Sequence, residues 1–383
     1  MRILPIASGK GGVGKSLISA NLAIAFAQAG KKVVLADLDL GASNLHLLIG
    51  HRAPKIGIGT FLSDLRSDFS RVVVDTDIPN LRFIPGDAEI PGSANLKPAQ
   101  VSALARRLLG LDCDILVLDL GAGTHQSILD FFLLSGQGIV VTTPTVTATL
   151  NAYLFLKNTV FRLMYSSFKK GSGAYEYLEK LRKDGSSLQQ LYIPKLMEAI
   201  REIDPESHSK FKERMKLFHP RLIMNMIEDP KSAEVAQKIR RSCAEYLDLE
   251  IEHLGVIYRD TLQDTALAAR LPIIIYKNQS ILSQAIYRIA DKILQSEEDR
   301  LPLEGRSIEE SFQEAEMEAE VDFEAKMEYV EDLLHSGALS MADLVETVKT
   351  QQLEINQLRK ENLFLKSRLV KFLSGQSQDK QRS

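Results

Sequence analysis

The chain has 383 residues, 45% of them apolar and 25% charged, the composition of a globular protein with room for about two domains and a sizeable core. A formal net charge of -3, from 47 basic and 50 acidic residues, does not mark out a nucleic-acid binder, and the only two cysteines, Cys113 and Cys243, lie far apart without a CxxC pair. That argues against a disulfide scaffold or a cysteine-ligated metal; no apolar run is long enough to span a bilayer and no signal peptide is recognisable, so a cytoplasmic protein is expected.

From residue 1 to about 295, apolar β-branched runs alternate with helical periodicity, the pattern of a parallel sheet covered by helices. The expected strands are residues 2–7, 32–37, 81–86, 114–120, 138–143, 221–226 and 253–258. A helix is expected over 16–30, ending at Gly30. The fold class is therefore α/β: a doubly wound, mostly parallel sheet, with ligands bound beyond the carboxyl ends of the strands.

Two further regions depart from this alternation. Between Lys157 and Arg221 the chain is helical, polar and basic, with fourteen Lys or Arg against eight Asp or Glu; an insertion over about 160–220 is expected at one edge of the sheet, either a solvated elaboration or a docking surface. Residues 297–332 then carry fifteen Asp or Glu against three Lys or Arg. Ser307 with Glu310 forms a capping-box start for a long acidic helix that Gly337 can close. This gives three domains: 1–295, an acidic helical linker over 296–339, and a tail over 340–383. In the tail Val348, Ile355, Asn362 and Leu369 at a, with Gln351, Leu358, Leu365 and Phe372 at d, make a coiled-coil seam within 344–373. Glu354 faces Arg359, and Glu361 faces Lys366, in a parallel pair. The segment FLKSRLVKFL, 364–373, also has the one-sided apolar and basic character of membrane-surface helices.

The chemistry centres on SGKGGVGKS, Ser8 to Ser16, placed between an expected strand and an expected helix. Glycines let successive N–H groups converge on a polyphosphate, Lys15 neutralises its charge, and the Ser16 hydroxyl suits Mg²⁺. Mg²⁺ prefers oxygen ligands, and strand ends supply carboxylates: Asp37 and Asp39 in KVVLADLDLGASN, and Asp119 in DILVLDLGAG, with Gly121 and Gly123 following. One lysine suffices for a phosphate chain bound within a subunit, which leaves Lys10 without a use.

With its extra lysine, SGKGGVGKS together with DLDLGASNLHLLIG, DLGAGTHQ and VTTPTVTATLNAY resembles the MinD/ParA family of deviant phosphate-loop ATPases, and within it the MinD/FlhG type. The similarity covers residues 1–160 and 221–295. The resemblance implies ATP and Mg²⁺ as cofactors, bound by Gly9, Lys10, Gly11, Gly12, Val13, Gly14, Lys15, Ser16, Gly123 and Asn225. It implies a metal site at Ser16, Asp39 and Asp119, and catalysis by Lys10, Lys15 and Asp39. In such a family ATP brings two subunits face to face, Lys10 crosses to the partner's phosphates, Asp39 orients the attacking water and Asn225 contacts the adenine.

The expected function is thus an Mg-ATP-dependent dimerising switch in division, flagellar or cargo positioning, with a ParA-like DNA segregation ATPase as the alternative. Expected partners are a second copy, reinforced by the 344–373 seam, an unnamed protein that stimulates hydrolysis, and a membrane surface at the inner face of the cell; DNA is the weaker candidate. Departures from the family are Pro5 in a central strand, Leu17 in place of a second hydroxyl, Thr145 where glutamate is common, and Tyr258 where proline is usual. A metal-cluster carrier would need interfacial cysteines, and a capsule-type tyrosine kinase a tyrosine-rich tail, which this chain lacks.

Overall fold

The seven apolar runs become strands in a computed structural model that describes residues 1–41, 43–52, 56–86, 96–183, 192–296 and 308–336, with scattered residues between 342 and 361. They are β1 (Arg2–Ser8), β2 (Val33–Leu38), β4 (Leu81–Ile84), β5 (Ile115–Ala122), β6 (Ile139–Thr142), β7 (Arg221–Ile227) and β8 (Glu252–Tyr258). An eighth, β3 (Val74–Asp75), precedes β4; at two residues it is too short to show any periodicity in the sequence. The order is β3-β4-β2-β5-β1-β6-β7-β8, antiparallel only at β3.

The helices are α1 (Lys15–Gln28), α2 (Leu45–Leu48), α3 (Ile58–Ser63), α4 (Pro98–Leu109), α5 (Gln126–Phe132), α6 (Val146–Ser167), α7 (Gly173–Lys183), α8 (Ile193–Ile203), α9 (Pro205–Lys216), α10 (Val235–Leu247), α11 (Leu262–Ala268), α12 (Ile273–Tyr276), α13 (Ile281–Gln295) and α14 (Ile308–His335). Central strands are apolar on both sides because both faces are covered. Leu35 and Val117 pack with Ile18, Leu22 and Phe26 of α1 and Ile286 of α13. Val34, Leu116 and Leu118 face the other way, towards Phe132, Phe155 and Val160.

Pro5 sits in the middle of the sheet but not in a full ladder. Strand β6 pairs with β1 only at Ile6 and Ala7, so the proline falls one residue before β1 acquires its second neighbour.

The basic segment expected at a sheet edge lies elsewhere. It forms the end of α6 with α7, α8 and α9, the crossover between the adjacent strands β6 and β7. Its helices are amphipathic, and Leu178, Leu196, Ile200 and Phe211 bury into the same core as Phe155. Its charges pair locally, as in Lys210–Glu206 at 2.6 Å and Lys216–Glu213 at 2.8 Å. The polar composition therefore reflects one solvated face of each helix, while the apolar stripes bind the segment to the sheet.

The first half of the acidic helix is built into the body as well. Contacts divide the chain into one unit over Met1–Phe323 and a second over Glu324–Ser383. In the first, Phe312, Ala315 and Ala319 of α14 are buried, and the edge strand β8 is covered: the His253 N–H donates to Ser311 Oγ at 3.1 Å. Ion pairs Arg288–Asp322 (2.5 Å) and Lys292–Glu318 (2.8 Å) join α13 to α14, and Arg240 of α10 pairs with Glu309. Acidity here serves basic partners on two neighbouring helices. In the second unit, Val348 and Ile355 are helical and exposed; Gln351, Leu358, Asn362, Leu365, Leu369 and Phe372 lie outside the described residues, as do Ser307, Gly337, Glu354, Arg359, Lys366 and the segment 364–373.

Phe312→Ala is expected to cost about 3 kcal/mol or more in urea unfolding, the range for truncating a buried phenylalanine. A freely solvated connecting helix would lose under about 0.5 kcal/mol.

Candidate nucleotide site

β1 runs into the loop 9–14, and α1 begins at Lys15. Two glycines in the loop are dictated by what touches them. A Cβ on Gly9 would lie 2.0 Å from the Asn151 carbonyl oxygen of α6, and one on Gly14, already at φ 84°, would lie 2.2 Å from Asn225 Nδ2. The loop is thus wedged between helix α6 and the end of β7. Asn225 clamps it from below, donating from Nδ2 to the Val13 carbonyl at 2.8 Å, and Ser8 Oγ donates to the Lys10 carbonyl at 3.0 Å. Val13 is buried, whereas Gly11 and Gly12 lie exposed at the crest.

The two lysines part company here. Lys15 is 6% exposed, and its Nζ donates to Asp119 Oδ1 at 2.6 Å and to Ser16 Oγ at 3.1 Å. Lys10 is exposed, and its Nζ rests on Thr147 Oγ1 at 3.0 Å, on the first turn of α6. One cation is held inside the subunit and the other on its surface.

Carboxylates surround the buried one. Asp37 and Asp119 are register partners on β2 and β5, each 1% exposed. Burial, with the adjacent Asp119 charge second, pushes the Asp37 carboxyl up to about 7. Asp37 also organises the loop after β2: Ser43 Oγ (2.6 Å), Asp39 N–H (3.1 Å) and Leu45 N–H (3.3 Å) all donate to it. Asp39 is half-buried, with Oδ1 beside Gly121. Its carboxyl is raised chiefly by burial, with Lys15 opposing and Asp119 adding.

Among the described residues no three or more His, Cys, Asp or Glu cluster as a complete metal cage. That suits Mg²⁺, which takes one or two protein oxygens and completes its shell with phosphate and water. The donor set fits: the Ser16 hydroxyl and the Asp119 carboxylate share the Lys15 ammonium, and the Asp39 carboxyl lies close enough to feel the charges of both Lys15 and Asp119. Ser16, Asp39 and Asp119 would hold such an ion.

A cleft of about 430 Å³ opens beside the loop, lined by Lys10 and Gly12, by Thr145 before α6, and by Met226, Glu228 and Arg259 at the ends of β7 and β8. A phosphate chain on the loop would leave this space for the rest of a nucleotide. Gly123, at φ 96°, has open space beside it, but its N–H already donates to the Ser8 carbonyl at 3.0 Å.

Sequence reasoning missed four participants. Ser19 Oγ donates to Asp119 Oδ1 at 2.8 Å; it lies one helical turn after Lys15 and supplies the hydroxyl that Leu17 does not. Thr147 and the pair Glu228 and Arg259 carry no local signal, because only the fold brings them to the loop.

A buried strand feeding a glycine loop into a helix N-terminus, with acidic strand ends beside it, defines a phosphate-loop nucleotide-binding domain. The chain belongs to the CobQ/CobB/MinD/ParA nucleotide binding domain family, whose model matches residues 4–361. It is 35% identical over 153 residues to the septum site-determining protein MinD of Synechocystis, covering 39% of this chain and 56% of that protein. It is 32% identical over 207 residues to the flagellum site-determining protein YlxH of Helicobacter pylori, covering 50% of this chain and 68% of the other. These matches span only about half to two thirds of the relatives' lengths. The solved MinD of Pyrococcus horikoshii, complexed with Mg-ADP, has the same fold, with a TM-score of 0.51 at 20% identity over 77% of this chain and 96% of that one. Among the described residues no helix is long and apolar enough to cross a membrane.

Because the folded Asp37 carboxyl titrates near 7 instead of near 4, the folded state holds a proton that the unfolded chain releases. Its contribution to stability is fully present below about pH 4 and is lost progressively as pH rises from there to about 7. Nucleotide-free protein should therefore gain melting temperature from Asp37→Asn at pH 8, and much less at about pH 4.

Proposed function

We propose that this chain is an Mg-ATP-dependent switch that hydrolyses ATP to ADP and phosphate as a face-to-face dimer. The observation that carries the reading is the separation of the loop's two lysines. Lys15 is buried against Asp119, placed to serve the nucleotide of its own subunit, whereas Lys10 is held at the surface by Thr147, in a position to leave it for another molecule.

The chemistry follows from charge. Phosphoryl transfer is catalysed mainly by positioning and by cancelling negative charge on the phosphate oxygens, and a cation from a second subunit can contribute several orders of magnitude. Lys15 and the N–H groups of residues 9–16 hold the phosphates, and Asn225 keeps that loop in shape through its hydrogen bond to the Val13 carbonyl. Mg²⁺, when bound, supplies further positive charge at Ser16, Asp39 and Asp119. Asp39, half-buried and with its carboxyl pKa raised chiefly by burial, would orient the attacking water. Lys10 reaches the partner's phosphates, so hydrolysis waits on dimerisation.

Two relatives are named for determining the site of the septum and of the flagellum. We carry over that class of task, spatial positioning within the cytoplasm, with a protein partner that stimulates hydrolysis and with peripheral contact to the membrane as the expected output. The ATPase body extends through residue 323, and the 344–373 seam would keep two chains together between nucleotide cycles.

Lys10→Ala should keep nucleotide binding and lose about 100-fold or more of the dimer's hydrolysis, as for other cations removed from a transition state; hydrolysis at the wild-type rate would sink the in-trans mechanism. Asp39→Ala should trap a long-lived ATP dimer, visible by light scattering with nucleotide and Mg²⁺ present. Deleting 340–383 should lower the nucleotide-free mass by the same measurement, and an unchanged mass would remove the coiled coil.

A further inference from the structure

Tyr258 occupies the last position of β8, where the family resemblance leads one to expect proline. It is 2% exposed, and its hydroxyl donates to the Ala319 carbonyl of α14 at 2.7 Å. Its ring lies 6.3 Å from that of Phe323, and burial keeps the phenol a neutral donor by pushing its pKa up. Proline could make none of these contacts. The last strand of the sheet is thus tied to a helix that follows the sheet in sequence.

What the tie controls is the next residue. Arg259 lines the nucleotide cleft; its N–H donates to the Ile227 carbonyl at 3.0 Å, and its guanidinium lies 3.6 Å from Glu228, which lines the cleft too. The ends of β7 and β8 therefore form one wall, held from outside by α14. The loop has contacts that do not involve α14, with Asn151 of α6 above Gly9 and Asn225, within β7, beside Gly14. Helix α14 has further anchors of its own, through Phe312, Arg288–Asp322 and Lys292–Glu318.

We infer that Tyr258 is a positioning residue through which α14 holds the Glu228–Arg259 wall of the cleft against the base and sugar of the bound nucleotide. The inference rests on the nucleotide reading of the site. It makes the acidic helix part of the binding site's frame: whatever displaces α14 loosens the base end and leaves the phosphate end intact. Strand β8 meets this helix twice, at its outer edge through Ser311 and at its end through Ala319.

The test uses the full chain with Mg²⁺ and two ligands, ATP and inorganic tripolyphosphate, which lacks the base and sugar. Tyr258→Phe removes only the hydroxyl; ATP should bind about three- to tenfold more weakly, the range for one lost hydrogen bond, and tripolyphosphate should bind as before. Phe312→Ala, which loosens α14 away from Tyr258, should show the same split. Adding Tyr258→Phe to it should change little, since both act through one element. An unchanged ATP affinity in Tyr258→Phe, or an equal loss for both ligands, overturns the inference while leaving the nucleotide site standing. A wild-type chain that binds neither ligand overturns the nucleotide reading and this inference with it.

Discussion

Lys15 carries its charge to a position 6% exposed, and that can stand only because Asp119 meets it at 2.6 Å and Ser16 and Ser19 complete the polar contacts around the pair. Removing one partner from a buried ion pair strands the other, so this contact constrains everything near it. It fixes the end of β5 against the start of α1. It also places a second carboxylate, Asp37, one strand away, where burial and repulsion from Asp119 keep its proton on near neutrality. The loop after β2 is then built on Asp37, which gathers Ser43, Asp39 and Leu45.

The same loop divides its work by depth. Residues 9, 13, 14 and 15 face inward and are packed against α6, β7 and β5, where even one methyl group would collide at two of them. Residues 10–12 face outward. Placement of Lys10 on Thr147 joins the outward half to α6, the helix that begins at the cleft and leads into the basic crossover. The inward half is rigid because it is crowded; the outward half is available because an exposed hydrogen bond, open to competition from water, holds its lysine. The switch proposed for this chain needs both properties in a short segment.

How far the sequence revealed this differs from residue to residue. The strands at 2–7, 114–120 and 221–226 were legible because both faces of a parallel sheet are buried, which leaves unbroken apolar runs. Lys15, Ser16 and Asp119 were legible because a phosphate loop and an acidic strand end are local patterns. Thr147 is 137 residues from Lys10, and Arg259 is over 240 residues from the loop whose cleft it lines, so neither leaves a mark at short range. The basic segment 157–221 misled by composition: its charges outnumber its core residues, yet Leu178, Leu196, Ile200 and Phe211 decide where it packs. Tyr258 stood out only as a departure, and its purpose lies in Ala319, on a helix that composition alone suggested was a connector.

Sequence alone determined the class of chemistry, since glycine spacing, a lysine beside a helix start and acids after apolar runs are properties of neighbouring residues. It also determined the sheet, through the runs that must be buried on both faces. Tertiary structure decided which charges are buried in pairs and which are held at the surface, where the crossover lies, and that the first half of α14 belongs to the body. Those outcomes depend on groups hundreds of residues apart meeting at a few ångströms, and burial, which sets the energy of every charge, exists only once the chain has folded.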